Sequence, residues 1–176
     1  MITIQTTRQP QNKTFSHSLV IAGGRARSSD EVDSWRLFDV AGRTVTYVDD
    51  VARTTRTEPV PASKAPAPVP TGAKRVLQGV EAAEYVVRLG AFERHLWMGT
   101  HPSIPDELFA MMQTDPALTS LRGFPLLDHA ELPYGNKKMT VERSVVKIEQ
   151  KDVPASWFPS LSRGAAAGSS VTPLPK

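Results

Sequence analysis

The chain contains no cysteine. This absence excludes a disulfide framework, a cysteine-ligated zinc site and thiol chemistry. Aromatic residues make up only 7% of the 176 residues, which is little for a surface that stacks nucleic-acid bases. The net charge is only +3, and the Lys and Arg residues are scattered among Asp and Glu without a block of like charge. We therefore expect no nucleic-acid partner.

Long apolar runs are also missing, so the sequence predicts no membrane-spanning helix. No signal peptide is recognisable, because Met1 opens directly into the strand-like run MITIQTTR. Two interpretations stay open at this point. The protein is cytoplasmic, or it is periplasmic or secreted and its leader has been cut off before Met1.

Motifs of catalysis and phosphate binding are absent as well. The sequence contains no G-x-G-x-x-G, P-loop, G-x-S-x-G or H-E-x-x-H pattern. His95 and His101 flank the end of a predicted strand, but a spacing of six is not a ligand pattern for zinc. We expect no catalytic residue, no metal site and no cofactor. A hydrolase that uses His95, His101 or His129 remains the third-ranked alternative.

Alternation of apolar and polar residues predicts antiparallel strands along most of the chain. The predicted strands lie at Ile2–Gln5, His17–Ala22, Trp35–Val40, Arg43–Asp49, Val51–Thr57, Ala73–Gln78, Glu81–Leu89, Phe92–Thr100 and Met139–Gln150. The Thr- and Arg-rich strand Val51–Thr57 is typical of a guarded sheet edge. The apolar phase of the last strand shifts between Val141 and Val146, which predicts a β-bulge.

A short helix is predicted to begin near Ser103-Ile-Pro-Asp106, because Pro105 fits a first helical turn and Asp106 and Glu107 favour its positive end. Residues 58–72 are rich in Pro and Ala and predict an extended loop between strands. Residues 159–176 offer little to bury and predict a disordered tail. The domain prediction is therefore a single domain over residues 1–158.

The predicted fold is mainly β (α+β), with one strongly curved antiparallel sheet covered by one or two short helices. A single short helix covers only part of such a sheet, so its concave apolar face is either an open groove or a filled core. The Met residues favour an adaptable lining, since thioether side chains repack around different guests. The candidate ligand-binding residues are Leu37, Tyr47, Tyr85, Val87, Leu96, Met98, Leu108, Met111 and Met112.

Several runs resemble a domain-of-unknown-function family of bacterial envelope proteins whose members are similar to the periplasmic lipoprotein carriers (LolA-like fold). The runs are TGAKRVLQG at 71–79, EYVVR at 84–88, LWM at 96–98, PSIPDEL at 102–108, FPLL at 124–127 and DVPASWF at 152–158. The resemblance covers residues 1–158. It implies an unclosed β-barrel, a periplasmic or secreted location and a leader removed before Met1. No catalytic residues come with this family.

From these observations the leading hypothesis is a non-enzymatic envelope protein that binds a lipid, an acyl chain or a lipoprotein on the concave face. The alternative is a protein-interaction module, with another envelope protein as the partner, that uses an edge strand and the Pro-rich loop 58–72.

Overall fold

The computed structural model describes residues 1–31, 34–62, 68–89, 92–115, 117–158 and 172–173. The chain folds mainly into β-strands, as the alternating pattern predicts. The strands are β1 Ile2–Gln9, β2 Lys13–Ala22, β3 Arg25–Glu31, β4 Ser34–Asp39, β5 Thr44–Asp49, β6 Thr54–Pro59, β7 Lys74–Leu77, β8 Val80–Leu89, β9 Phe92–Gly99, β10 Phe124–Tyr134, β11 Lys137–Ile148 and the two-residue β12 Thr172–Pro173. One α-helix, α1, covers Leu108–Met111, and a 3-10 helix covers Ala155–Trp157.

The first eleven strands form one antiparallel sheet in the order β6-β5-β4-β3-β2-β1-β11-β10-β9-β8-β7. Two meanders, β1 to β6 and β7 to β11, are joined where β1 pairs with β11. The short β12 adds to the outer side of β6. Because β6 and β7 stand at opposite ends of this order, the sheet is not closed into a complete barrel.

The sheet is nevertheless strongly curved and barrel-like. Val60, just after β6, packs against the same core cluster as Leu77 of β7 and Val80 of β8. Side chains from both ends of the strand order therefore meet one core. The Pro-rich loop 58–72 is the covalent connection between these two edges. Its first residues are held to the sheet by Arg43, whose Nε and Nη2 donate to the carbonyls of Val60 and Pro61 at 3.2 and 3.1 Å.

The concave face carries the main core. Alternate residues of β1, Ile2 and Ile4, are buried, as expected for strand side chains that point to opposite faces. Directly opposite Ile2 lies Leu19 of β2. Further round the sheet, Phe38 of β4 pairs with Val45 of β5, and both belong to the same buried cluster.

Residues 101–123, here called the cover segment, run across this face between β9 and β10; residue 116 lies outside its described part. The helix in this segment is only four residues long, begins at Leu108 and has no side-chain cap, so the prediction of a helix that begins near Ser103–Asp106 is wrong. The cover segment is instead held by turns, such as the hydrogen bond from the Gly123 amide to the Asp106 carbonyl at 2.9 Å.

The convex face carries a second, smaller core. Val20, Leu37 and Phe158 are buried together there, with Val153 and Trp35 packed against them. Residues that follow β11 thus cover part of the outer surface of the sheet. The sequence analysis placed Leu37 and Tyr47 on one face of the sheet, and this prediction is wrong. Leu37 pairs with Thr46, and Tyr47, the next residue along β5, points to the opposite face.

The predicted bulge in β11 is confirmed. Thr3 pairs with Lys147 and Ile4 pairs with Val145, so Val146 has no partner on β1. Val145 is buried and Val146 is 40% exposed. The extra residue shifts the alternation of buried and exposed side chains along β11 by one position, which explains why the apolar pattern shifts in the sequence.

The domain prediction includes residues that the structure does not describe. These are residues 63–67 of the Pro-rich loop and residues 159–171 and 174–176 of the tail.

Candidate functional site on the concave face

Eight of the nine predicted lining residues meet in the concave core; Leu37 alone lies in the convex one. Five are buried in this core and three are partly buried against it. The sheet supplies Tyr47, Tyr85, Val87, Leu96 and Met98, and the cover segment supplies Leu108, Met111 and Met112. The prediction therefore selected residues that come together, although Leu108 and Leu96 are more than ten residues apart in sequence.

The cover segment fills this part of the concave face with its own side chains. Leu108 is fully buried, and Phe109 and Met111 are each 4% exposed. Phe109 meets Phe124 of β10 edge to face, with ring centroids 6.5 Å apart, a favourable geometry for aromatic pairs. A ligand reaches the apolar floor beneath α1 only if the cover segment moves.

A buried ion pair lies beside this apolar floor. Arg94 of β9 binds Asp128 of β10 through Nε–Oδ1 at 2.7 Å and Nη2–Oδ2 at 2.8 Å. Arg143 of β11 donates to the same Oδ2 at 3.1 Å. Arg94 also contacts the cover segment, because its Nη1 lies 3.5 Å from the side-chain oxygen of Gln113 and its guanidinium 5.9 Å from the Phe109 ring centre. The ion pair thus links three strands to the cover segment.

An open concavity of about 300 Å³ lies at the neighbouring strands β4, β5 and β6. It is lined by Ser34, Trp35, Arg36, Tyr47, Val48, Asp49, Thr54, Thr55 and Arg56. Arg36, Tyr47 and Arg56 are direct neighbours across β4, β5 and β6. Cross-strand neighbours in an antiparallel pair share a face, so these three side chains form one row across the concavity.

The histidines lie elsewhere. His95 and His129 are paired across β9 and β10, and their rings meet edge to face at 6.5 Å. Both lie on the convex face, since Leu96 next to His95 is in the concave core. His95 Nδ1 lies 3.1 Å from Glu84, and this hydrogen bond, with a second from Thr71, lowers the pKa of the Glu84 carboxyl.

His101 does not approach His95 in a common site. Its Nδ1 accepts the Ser103 backbone amide at 3.2 Å at the start of the cover segment. Within the described residues, no group of three or more potential ligand side chains is arranged to hold a metal ion.

Sequence reasoning missed the polar residues of the concave face, Arg94, Asp128, Arg36 and Arg56. For two of them, the spacing from a buried residue in the sequence indicates the face of the strand. Arg94 stands two residues before the buried Leu96, and Arg36 two residues before the buried Phe38, so strand periodicity places each on the concave face. Alternation alone does not show whether such a charged residue is buried, paired or exposed, because that depends on neighbouring strands.

No protein-family model matches the chain, and the comparison with curated proteins gives no significant match. Among solved structures, PNGF-II in a C2 space group is similar, with a TM-score of 0.56 and 13% identity over 90% of this chain. PNGF-II in a P21 space group gives a TM-score of 0.53 and 14% identity, also over 90% of this chain. The chain spans 29% and 30% of the length of those two chains.

At this identity the likeness concerns the fold alone. It agrees with a mainly β architecture built on a large unclosed antiparallel sheet. The similarity to the lipoprotein-carrier family stays a prediction. No helix in the described ranges is long and apolar enough to cross a membrane.

Proposed function

We propose that this protein is a non-enzymatic envelope protein that binds a lipid, an acyl chain or the acyl chains of a lipoprotein between the concave face and the cover segment. The observation that supports the proposal most strongly is how the cover segment is built. One four-residue helix and its flanking turns supply Leu108, Phe109 and Met111 to an apolar face that the strands themselves form.

The cover segment depends on the sheet for its conformation. A helix of four residues is far too short to be stable alone in water, so the buried side chains of α1 hold it in place. An acyl chain offers the floor the same apolar contact that these side chains offer. An acyl chain that replaces the side chains of α1 on the floor therefore leaves the buried apolar area nearly unchanged.

Methionine side chains stand on both sides of this contact. Met98 comes from β9, and Met111 and Met112 come from α1 and its C-terminal end. Their unbranched thioether chains fit irregular apolar surfaces. This composition supports binding of chains that differ in length or unsaturation. The proposed location is periplasmic or secreted, where lipid or lipoprotein partners would be met.

The first experiment is native mass spectrometry of the purified protein, followed by solvent extraction and identification of whatever is released. A discrete added mass that proves to be a lipid is the expected result. A clean apo mass, unchanged after incubation with phospholipid or fatty acid, would contradict the proposal.

A site-specific probe tests whether the cover segment moves. Because the chain lacks cysteine, Met112→Cys carries a single environment-sensitive fluorophore at the half-buried end of α1. A saturable signal change on addition of fatty acid or phospholipid is expected. Arg88→Cys, at a side chain that is 82% exposed on β8, is the matched control and should not respond. Equal responses at both positions would indicate non-specific partitioning.

One observation favours the alternative, a protein-interaction module. β7 is a four-residue edge strand that pairs only with β8 in the described part of the chain, and its Val76 is 70% exposed. An extended peptide from another envelope protein could add to this edge. A photo-crosslinking residue at 76, compared with one at the exposed Arg88, tests it in cells. The same partner captured from both positions, or from neither, would count against the module.

A further inference from the structure

Two hairpins, β1–β2 and β10–β11, end side by side at one end of the sheet. β1 pairs with β11 as far as Gln9 and Thr140. The turns that join β1 to β2 and β10 to β11 lie just beyond this pair. Residues 8–15 and 132–139, here called the tip region, therefore form one continuous rim of the sheet.

The tip region exposes apolar side chains on the concave side. Phe15 is 49% exposed and lies four residues before Leu19 of the concave core on the same strand. Leu132 and Met139 are cross-strand partners and are half-buried. Met139 lies six residues before Val145 of the same core, in a register without interruption. Because an even spacing along a strand keeps side chains on one face, all three point to the concave side.

Three cations share this rim with the apolar side chains. Arg8 and Lys13 are opposite each other across β1 and β2, and Lys137 lies two residues before Met139. All three cations are exposed, and no carboxylate pairs with any of them in the described part of the chain. The Arg8 guanidinium is 5.6 Å from the centre of the Phe15 ring. This contact leaves the charge of Arg8 uncompensated, since an aromatic ring carries no net charge.

The carboxylates beside the tip region are engaged or face away from it. Glu131 binds Lys138 at 2.7 Å. Glu142 lies 3.7 Å from His129, on the convex side, because an odd number of residues separates it from Met139. The sequence of the next hairpin, residues 30–33, reads Asp-Glu-Val-Asp. A negatively charged surface would therefore attract the tip region and repel that hairpin, which fixes the orientation of the protein on the surface.

This combination of side chains fits the surface of a membrane better than it fits a soluble anion. The headgroup region of an anionic bilayer offers phosphates to cations and an apolar layer to a phenyl ring. Each basic residue near such a surface strengthens binding about fivefold. Leu132 and Met139 gain nothing from a small soluble anion, and they do not stack on nucleic-acid bases as aromatic rings do.

We propose that the tip region docks the protein on the surface of an anionic lipid bilayer. The three apolar side chains enter the headgroup region, and the three cations lie among the lipid phosphates. Docking needs neither movement of the cover segment nor uptake of an acyl chain. It goes beyond the proposed acyl-chain function and stands or falls separately from it.

The test is co-sedimentation with vesicles of phosphatidylglycerol in phosphatidylcholine and with vesicles of phosphatidylcholine alone. We expect binding to the anionic vesicles that weakens as salt is added, and little binding to the neutral ones. The double variant Lys13→Gln/Lys137→Gln is expected to bind at least about tenfold more weakly. Its control is Lys74→Gln/Lys151→Gln, which changes the net charge equally at exposed positions outside the tip region.

The apolar part of the surface has its own variant. Phe15→Ser is expected to bind the anionic vesicles roughly fivefold more weakly, because its ring no longer leaves water on docking. Val76→Ser is the control, since Val76 is 70% exposed on β7 and should not touch the bilayer. Thermal unfolding verifies that every variant is folded.

Three results would overturn the proposal. They are equal binding to anionic and neutral vesicles, equal binding of the two double variants, and unchanged binding of Phe15→Ser. A protein that only took up acyl chains would give the first of these results, because both kinds of vesicle supply acyl chains. Conversely, docking that is retained while the fluorophore at Met112→Cys fails to respond to fatty acid would remove the acyl-chain function and leave docking in place.

Discussion

Arg94 and Asp128 form a bidentate ion pair in which the carboxylate is almost completely enclosed. The Asp128 side chain is 3% exposed and the Arg94 side chain 13% exposed. Arg143 gives the same carboxylate a third hydrogen bond. The pair sits between the strands and the cover segment, because Arg94 also reaches Gln113. The position of the cover segment is therefore set partly by this polar contact and partly by apolar packing.

Asp128→Asn is expected to lower the free energy of unfolding by about 3 to 5 kcal/mol, because it leaves the buried Arg94 charge without its counter-ion. Urea unfolding followed by fluorescence measures the change. Glu131→Gln is the control on the same strand. It breaks an exposed pair with Lys138 at 2.7 Å and should change stability little. Equal effects of the two substitutions would show that the Arg94–Asp128 pair is not structurally important.

Gly123→Ala is expected to destabilise the protein more than Gly135→Ala. Both glycines have a positive φ, +86° and +59°, so either substitution costs about 1 to 2 kcal/mol of backbone strain. At Gly123 an added Cβ would also lie 2.6 Å from the Gly99 carbonyl oxygen, whereas nothing lies within 4 Å at Gly135. Denaturant midpoints of the two variants give the comparison. Equal midpoints would mean that the cover segment does not approach β9 this closely.

Leu37 and Phe158 are expected to be energetically coupled on the convex face. Leu37→Ala should cost about 2 to 5 kcal/mol, as for a fully buried leucine. In a double-mutant cycle with Phe158→Ala, we expect a coupling of about 0.5 kcal/mol or more. Additive effects would contradict the packing of residues 153–158 on the sheet. Leu37→Ala should also leave ligand binding on the concave face unchanged, provided that the variant remains folded.

Glu149 predicts a pH dependence of stability at low pH. Hydrogen bonds from Lys147 and Lys151 lower its pKa to about 2. The folded protein therefore binds a proton at Glu149 less readily than the unfolded chain does. The stabilisation is fully present above the ordinary carboxyl pKa and is lost as the pH falls through about 2.

The measurement compares wild type with Glu149→Gln in urea at several pH values. The difference between the two should be constant near neutral pH and shrink toward zero as the pH approaches 2. Added salt should reduce it, because the three side chains meet at the surface. A difference that stays constant down to the lowest pH would contradict the assigned ion pairs.

Much of the architecture was predictable because strand periodicity is local. The hairpin of β8 and β9, with Tyr85, Val87 and Leu96 on one face, follows from alternation alone, and so does the bulge that exposes Val146. The place of β6 at one end of the eleven-strand order could also be expected from its Thr and Arg content. These features depend on residues that are close in sequence, so the sequence alone determined them.

The sequence did not show which buried residue belongs to which core. Leu37 and Phe38 are adjacent and both are buried, one on each face of β4. Alternation cannot assign a face when both faces are covered. The covering residues, Phe158 and the cover segment, come from distant parts of the chain.

The length of α1 and the burial of Asp128 were likewise decided by tertiary structure. The helix signals at Pro105 and Asp106 are real local preferences, but hydrogen bonds such as Gly123 to Asp106 fold this segment as turns. In the sequence, Asp128 looks like an ordinary polar residue of a strand. Only the folded structure brings Arg94 and Arg143 beside it. Local periodicity thus determined the strands, and the pairing of distant strands decided which side chains meet on their concave face.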